Sequence, residues 1–208
     1  MEETALIHVY GVSHVSRESM ELMKEKIEEH GPEVVALELD ATRFNALISD
    51  EQRNQGPIFL KLVQKFQRYI GSKTGVMPGE EMMYAYDLAA EKGMDVALID
   101  QDIRVTVHRL KDVRRKEKVR AAFQLLLAPF LPGSFDFSEI PGEEFIDEIL
   151  EEMKDEFPGL YTVLVEERNA YMAEALRQTH ADVKGDVVAF VGAAHRDALK
   201  EMLDEVDS

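Results

Sequence analysis

Four short apolar runs constrain the fold of this chain more than any other feature. They lie at Leu6–Tyr10, Val34–Leu39, Val96–Ile99 and Val187–Val191 and are rich in aliphatic and β-branched residues. Continuous apolar runs, as opposed to alternating ones, are typical of parallel strands covered on both faces. Helical stretches separate the runs, and this alternation favours right-handed crossovers. The sequence therefore predicts an α/β fold with a mostly parallel central sheet and helices on both faces.

Three of the helices have predicted ends. The first runs from a cap at Ser16 to His30, the second from Glu81 to Lys92, and the last from about Arg196 to Val206. Apolar residues recur at three- and four-residue spacing in each, and glycine follows the first two. Residues 57–70 also keep apolar side chains at helical spacing.

A charged segment interrupts this pattern. Residues 104–120 are strongly basic, and residues 136–156 are strongly acidic. We expect two antiparallel helices whose opposite charges face each other, with a polyanion-binding patch as the alternative. The apolar tract between them, around Phe123–Leu131, is expected in the core or in a homodimer surface. The prediction is one domain over residues 1–208 that contains a charged helical insertion at about 104–157.

Composition excludes several classes of protein. The 208 residues include no cysteine, so disulfides, thiolate metal sites and a cysteine nucleophile are absent. Lys and Arg number 24 against 41 Asp and Glu, which gives a net charge of −17. Such a charge argues against nucleic acid or an anionic membrane as a partner. No apolar run approaches the roughly 18 residues that span a bilayer, and no signal peptide is evident, so we expect a cytoplasmic protein.

One short motif occurs twice, each time where a predicted strand turns into a helix. Gly11-Val12-Ser13-His14 follows the first strand, and Gly192-Ala193-Ala194-His195 follows the last. A Gly-x-x-His would occur by chance about 0.3 times in such a chain. Glycine permits a tight turn with close backbone approach. Both histidines are therefore expected at the carboxyl edge of the sheet, where open parallel sheets bind ligands.

Carboxylates follow the two other strands. Glu38 and Asp40 end the second run, with Arg43 one helical turn further, and Asp100 and Asp102 follow the third. A buried carboxylate is costly unless it is paired or binds a metal. Asp40 has a helix N-cap as its alternative role, and Glu38 an ion pair with Arg43. Asp100 and Asp102 are equally compatible with a turn.

Other polar residues are weaker candidates. Glu81, at the start of a helix, is a dipole partner or a site acid. Arg168 and Asn169 are polar residues in a helix with buried neighbours, and an inward Arg168 would need a carboxylate partner. We expect His8 to be a core imidazole, and His30 to be solvated like the other helix-end histidines.

Two histidines and one or two carboxylates at one edge match a nitrogen and oxygen metal site with open positions. The divalent transition metals Mn, Co, Zn and Fe suit such a set. A metal of this kind lowers the pKa of bound water toward about 7 and polarises a carbonyl. A further carboxylate, Glu81 or Asp100, would then move protons.

These motifs together resemble the TraB/PrgY family. The resemblance rests on six segments in order along the chain: Gly11–Ser16, Val35–Arg43, Met77–Met82, Leu98–Thr106, Glu167–Met172 and Val191–His195. The wider superfamily includes the TIKI proteases, GumN-like proteins, haem-binding ChaN-type proteins and erythromycin esterase-like enzymes. The resemblance implies an α/β core whose two Gly-x-x-His motifs and acidic residues form one site. In TIKI-like members that site is associated with metal-dependent proteolysis, and PrgY-like members act on peptide pheromone signalling.

The resemblance also assigns residues and sets the functional expectations. His14, Glu38 and His195 are expected to hold the metal, with Glu81 as general base and Arg168 as an orienting or oxyanion-stabilising group. The secondary positions are Arg43, Asp100, Asp102 and Asn169. The leading hypothesis is a metal-dependent hydrolase of peptide or amide bonds. The alternatives are a non-catalytic module that binds a peptide, haem or small ligand, and a scaffold that acts through its charged hairpin. The hydrophobic membrane tail of many TraB-like proteins is missing, which favours a cytosolic form.

Overall fold

A computed structural model describes residues 6–12, 17–49, 79–127 and 143–204 of this chain. His14, the predicted cap Ser16 and the predicted helix at 57–70 lie outside these residues, as does the tract beyond residue 127. The strands are β1 (Ile7–Val12), β2 (Val34–Leu37), β3 (Asp95–Leu98) and β4 (Val187–Gly192). The helices are α1 (Arg17–His30), α2 (Ala41–Ile48), α3 (Glu80–Lys92), α4 (Ile103–Arg109), α5 (Arg115–Leu127), α6 (Glu143–Glu156), α7 (Pro158–Tyr161), α8 (Glu167–Asp182) and α9 (Ala193–Asp204).

The four described strands form one parallel sheet in the order β1-β4-β2-β3. Each corresponds to one of the four apolar runs, so the predicted α/β class and the parallel sheet are confirmed. β2 ends at Leu37, two residues earlier than the run suggests. The chain turns there, because Leu39 N–H donates to Leu37 O over 2.7 Å. This turn places Glu38 just beyond the end of the strand.

Helices cover both faces of the sheet, as predicted. On one face, Met23 of α1 and Met82 of α3 pack with Leu37 and Phe190 of the strands. On the other face, Met172 and Leu176 of α8 and Leu199 of α9 pack against the alternate strand residues, which include Ala36 and Ala189. Burial of each large apolar side chain contributes about 1.5–3 kcal/mol, so the two layers fix the sheet firmly.

In its described part, residues 104–127 and 143–157, the charged segment is mostly helical, but it differs from the prediction in one respect. Its basic part forms two helices, α4 and α5, because the chain turns inward between them. There Leu110 and Val113 enter a third, smaller core with Phe157 and Leu160. The expected pairing of opposite charges is seen between Arg120 of α5 and Glu156 of α6. No helix in the described ranges has the length and apolar character that a membrane crossing requires.

Candidate functional site

Several of the predicted site residues converge, because parallel strands end at the same edge of the sheet. Glu38 directly follows β2, and Asp100 comes two residues after β3. His195 lies in the first turn of α9, immediately after β4. Arg168 and Asn169 reach the same edge from the first turn of α8.

Arg168 joins three of these residues through its guanidinium group. Its Nε and Nη2 donate to the two carboxylate oxygens of Asp100 over 3.0 and 2.8 Å. Nη2 also donates to Glu38 Oε1, and Nη1 to His195 Nε2 over 3.1 Å. Glu38 and Asp100 are each only 4% exposed. The expectation that an inward Arg168 needs a carboxylate partner is therefore confirmed, with two partners instead of one.

The charge of Arg168 is secured by its surroundings. Burial lowers the pKa of its guanidinium, but the negative charges of Glu38 and Asp100 outweigh burial and raise that pKa above its ordinary value. Arg168 is thus a permanent cation at the carboxyl edge of the sheet, and charge-assisted hydrogen bonds hold it in place.

The partners of His195 determine its tautomer. A guanidinium can only donate, so Nε2 of His195 must accept the hydrogen bond from Arg168. Nδ1 lies 2.6 Å from Asn169 Oδ1 and therefore carries the proton and donates it to that oxygen. His195 is consequently a neutral imidazole whose Nε2 lone pair points toward Arg168 and Glu38.

Glu38 also connects the site to the second Gly-x-x-His motif. Its Oε2 accepts a hydrogen bond from the backbone N–H of Gly192, the leading glycine. The two motifs are neighbours, because Val12 and Gly192 are partners in the register of β1 and β4. A Cβ on Gly11 would come within 3.2 Å of the Ala193 backbone, which is the close approach predicted for this glycine. The first motif's histidine, His14, lies outside the described residues.

Arg43 and Asp40 support the cluster from α2. Arg43 donates to both Asp40, over 2.8 Å, and Asp100. It donates to the backbone carbonyl of Glu38 over 3.2 Å, whereas the carboxylate of Glu38 is paired with Arg168. Asp40 accepts from Thr42 N–H over 2.8 Å and is the N-cap of α2, as its alternative role predicted.

Glu81 and Asp102 occupy different surroundings. Glu81 is fully buried in the first turn of α3 and accepts a hydrogen bond from Gly79 N–H over 3.0 Å. Asp102 is the N-cap of α4, and it accepts hydrogen bonds from the backbone and side chain of Arg104. Those bonds to Arg104 lower the pKa of Asp102 to about 2. The structure thus brings Arg43, Asp100 and Asn169 to the Arg168 cluster, whereas Asp102 turns to Arg104.

The donor set can be compared with the needs of a metal ion. Glu38 Oε1 and His195 Nε2 lie 3.7 Å apart. Two ligands on one tetrahedral zinc, each at about 2.1 Å, lie about 3.4 Å from each other. The two residues therefore fit as ligands of one ion, on condition that Arg168 releases the His195 lone pair.

Two features of the site had no clear signal in the sequence. A π-helical turn, Thr162–Glu166, precedes α8, and its Leu164 carbonyl accepts a hydrogen bond from Arg168 Nη1 over 3.3 Å. A cavity of about 180 Å³ adjoins the site and is lined by residues that include Asn169, Ala193 and Tyr161. π-helical turns occur often at functional sites, but their sequences carry no reliable pattern.

Comparisons with known proteins agree with the resemblance seen in the sequence. The sequence model of the TraB/PrgY/gumN family matches residues 2–206. An uncharacterized protein of Methanocaldococcus jannaschii is 31% identical over 97% of this chain and 54% of its own length. TraB domain-containing proteins of Bos taurus and Homo sapiens are each 27% identical over 85% of this chain and 53% of their own length. The chain thus spans about half the length of these relatives.

Proposed function

This chain belongs to the TraB/PrgY/gumN family, and we propose that it is a metal-dependent hydrolase of peptide or amide bonds. The observation that carries the proposal is the placement of Glu38 Oε1 and His195 Nε2, 3.7 Å apart, at the carboxyl edge of a parallel sheet. Both side chains are buried and oriented by further hydrogen bonds, as the ligands of metal sites usually are.

Glu38 and His195 would hold the ion together with His14, and the ion would be Mn, Co, Zn or Fe in the divalent state. When bound, such an ion supplies Lewis acidity toward a carbonyl and a water. Asn169 would prepare His195 for this role. Its Oδ1 accepts a hydrogen bond from Nδ1–H of His195 over 2.6 Å, which keeps Nε2 unprotonated and able to bind the ion.

Arg168 and Glu81 would have separate roles. The Arg168 guanidinium is a permanent cation next to the two proposed metal ligands, Glu38 and His195. It would therefore bind a substrate carboxylate or an oxyanion. Glu81 would accept and return a proton as the general base. The cavity beside Asn169 and Ala193 would receive the peptide or small-molecule substrate.

Metal content tests the proposal directly. We would incubate the purified wild-type protein and its His195→Ala and His14→Ala variants with Mn, Co, Zn and Fe salts and measure bound metal after desalting. The matched control is His108→Ala, which removes an exposed histidine of α4. We expect each site variant to bind one equivalent of metal less than wild type and the control to bind as much as wild type, and we expect peptidase activity that Glu81→Gln abolishes. Metal content unchanged by His195→Ala and His14→Ala would overturn the proposal.

A second candidate function is a non-catalytic module that binds a peptide, haem or small ligand. One observation favours it: Arg168 already uses the His195 lone pair and both carboxylates, so these side chains have their charges and hydrogen bonds satisfied without a metal. For such a module, we expect ligand retention to be insensitive to Glu81→Gln and to metal chelation, and lost in Arg168→Gln.

Two expectations about the protein's surroundings also stay proposals. We propose that it works in the cytoplasm and that it forms a homodimer through α5, where Phe123 is 62% exposed. Val119, one helical turn earlier and 69% exposed, extends it to an apolar patch, and exposed apolar patches mark interaction surfaces. Light scattering of wild-type protein and of Phe123→Ser would test the dimer, because we expect the variant to be monomeric at the same concentration.

A further inference from the structure

We infer that the opposite edge of the sheet carries a separate transition-metal site formed by His8, His30 and Asp186. His8 is the second residue of β1, and Asp186 immediately precedes β4, so both lie where these strands begin. The cluster around Arg168 lies where the strands end. The two sets of residues are therefore separated by the length of the sheet.

The three side chains are close enough to bind one ion. Each offers a ligand atom, and these atoms lie within 4.8 Å of one another. His8 Nε2 and Asp186 Oδ2 are 3.2 Å apart. That separation is near the roughly 3.4 Å between two ligands of one tetrahedral ion. Within the described ranges, no other group of three His, Asp or Glu side chains has its ligand atoms this close together.

Regular elements hold each ligand in place. β1 and β4 are paired, with Ile7 opposite Val187, and this pairing sets His8 beside Asp186. His30 is the last residue of α1, and its ring stacks on that of His8 with centroids 3.9 Å apart. The expectation that His30 is solvated is therefore wrong, because its ring is half-buried against β1. Because an imidazole binds a metal in its ring plane, the His8 ring has to turn about its Cβ–Cγ bond when both histidines bind one ion.

Outer hydrogen bonds orient the ligands as they do in metal sites. Asp186 Oδ1 accepts the Leu6 backbone N–H over 2.9 Å, which leaves Oδ2 toward His8. The Tyr10 hydroxyl and His30 Nε2 share a hydrogen bond of 2.6 Å, which fixes the ring and leaves Nδ1 as the second donor atom. Lys26, whose Nζ lies 5.6 Å from the centre of the Tyr10 ring, is paired with Glu29 over 2.6 Å, so its charge is compensated.

The ligand types define the class of ion. Two imidazoles and one carboxylate suit Zn²⁺, Co²⁺ and Ni²⁺ and leave at least one position open to water. An ion bound here would join the end of α1 to the edge strand β1 and to the start of β4. We therefore assign this site a stabilising role that is independent of the chemistry at the carboxyl edge.

Cobalt titration tests this site apart from the first. We would use protein that carries His195→Gln, which removes a ligand of the proposed catalytic site, and follow Co²⁺ binding by visible absorption and calorimetry. In this background we expect one Co²⁺, with at least about tenfold weaker binding in His8→Gln and in His30→Gln, since even outer-shell changes cost 10–100-fold. The control His108→Gln should bind as tightly as the background.

A second measurement does not depend on variants that must fold. In wild-type protein, two equivalents of Co²⁺, enough for both proposed sites, should broaden the imidazole NMR signals of His8 and His30. Separately, Tyr10→Phe, which keeps all three ligands, should weaken binding about tenfold. Co²⁺ binding that is unaffected by His8→Gln and His30→Gln, or imidazole signals that stay sharp, would overturn the inference. Loss of the metal only in His195→Ala and His14→Ala would support the proposed hydrolase site and refute this one.

Discussion

Arg168 Nη1 donates a hydrogen bond to His195 Nε2 over 3.1 Å. The same guanidinium binds the carboxylates of Glu38 and Asp100, so one cation links the ends of β2, β3 and β4. This relationship gives the site a defined charge and a defined histidine tautomer before any ligand arrives. It also makes Arg168 the group that a metal ion would have to displace from His195.

The tautomer of His195 can be measured. We expect Nδ1 to be protonated and Nε2 unprotonated, because Arg168 only donates and Asn169 Oδ1 only accepts. Nitrogen-15 NMR of the imidazole distinguishes the two tautomers. In Asn169→Ala we expect the Nδ1-protonated tautomer to be less strongly favoured, because only Arg168 then selects it, whereas Asn169→Asp should keep the wild-type form. A wild-type His195 with protonated Nε2 would contradict the arrangement described here.

Removal of the Arg168 charge should be costly. Arg168→Gln leaves two buried carboxylates without their main counterion, and breaking a buried pair in this way costs about 3–5 kcal/mol. The matched control is Arg109→Gln, which breaks a more exposed bond to Glu167 and should cost about 0–1 kcal/mol. Urea unfolding at neutral pH gives both free energies. Equal and small losses in the two variants would show that the Arg168 cluster is not a stabilising one.

The same substitution should act in the opposite direction on metal binding. Arg168 places a positive charge next to Glu38 and uses the His195 lone pair, and both effects disfavour a bound cation. We expect folded Arg168→Gln to bind Zn²⁺ at least about tenfold more tightly than wild type, since a nearby unit charge is worth more than about 1.4 kcal/mol.

Calorimetry at a temperature where both proteins are folded measures this change, with Arg109→Gln as the control. The proteins would also carry His30→Gln, so that the site at the opposite edge does not contribute. Weaker Zn²⁺ binding in Arg168→Gln would mean that Arg168 assists metal binding. Unchanged Zn²⁺ binding would mean that no ion binds between Glu38 and His195.

The fold could be predicted largely from local sequence. Each strand is a continuous apolar run, and α1 and α3 each have a clear apolar period and a glycine after them, so the interactions that form these elements act over a few residues. The end of β2 was the exception. Val34–Leu39 is apolar except at Glu38, but the carboxylate of Glu38 is held by Gly192 and Arg168, which are more than a hundred residues away.

The members of the site were easier to predict than their pairing. Polar residues at strand ends drew attention to Glu38 and Asp100, and an arginine among buried neighbours drew attention to Arg168. The choice of Arg168 over Arg43 as the partner of Glu38 depends on the strand order and on the π-helical turn before α8. Neither the strand order nor the π-helical turn leaves a local sequence pattern. The contact between His30 and His8 was missed for the same reason, because it joins two different elements.

Asp102 provides a test at low pH. Arg104 lowers the pKa of this carboxyl to about 2, below the roughly 3.9 of an unfolded aspartate. A lowered folded-state pKa means that the stabilisation is present above about pH 3.9 and is lost as the pH falls toward 2. Arg104→Ala should therefore raise the pKa of Asp102 toward its ordinary value, and its stability deficit should shrink as the pH falls through this window.

Carboxyl carbon-13 NMR of Asp102 gives the pKa directly, and urea unfolding at pH 5 and pH 3 gives the change in stability. The matched control is Arg114→Ala, which removes an exposed arginine that forms no described bond to Asp102. A pKa of Asp102 that stays near 2 in Arg104→Ala would show that the helix N-terminus, and not the Arg104 side chain, holds the carboxylate in its charged form.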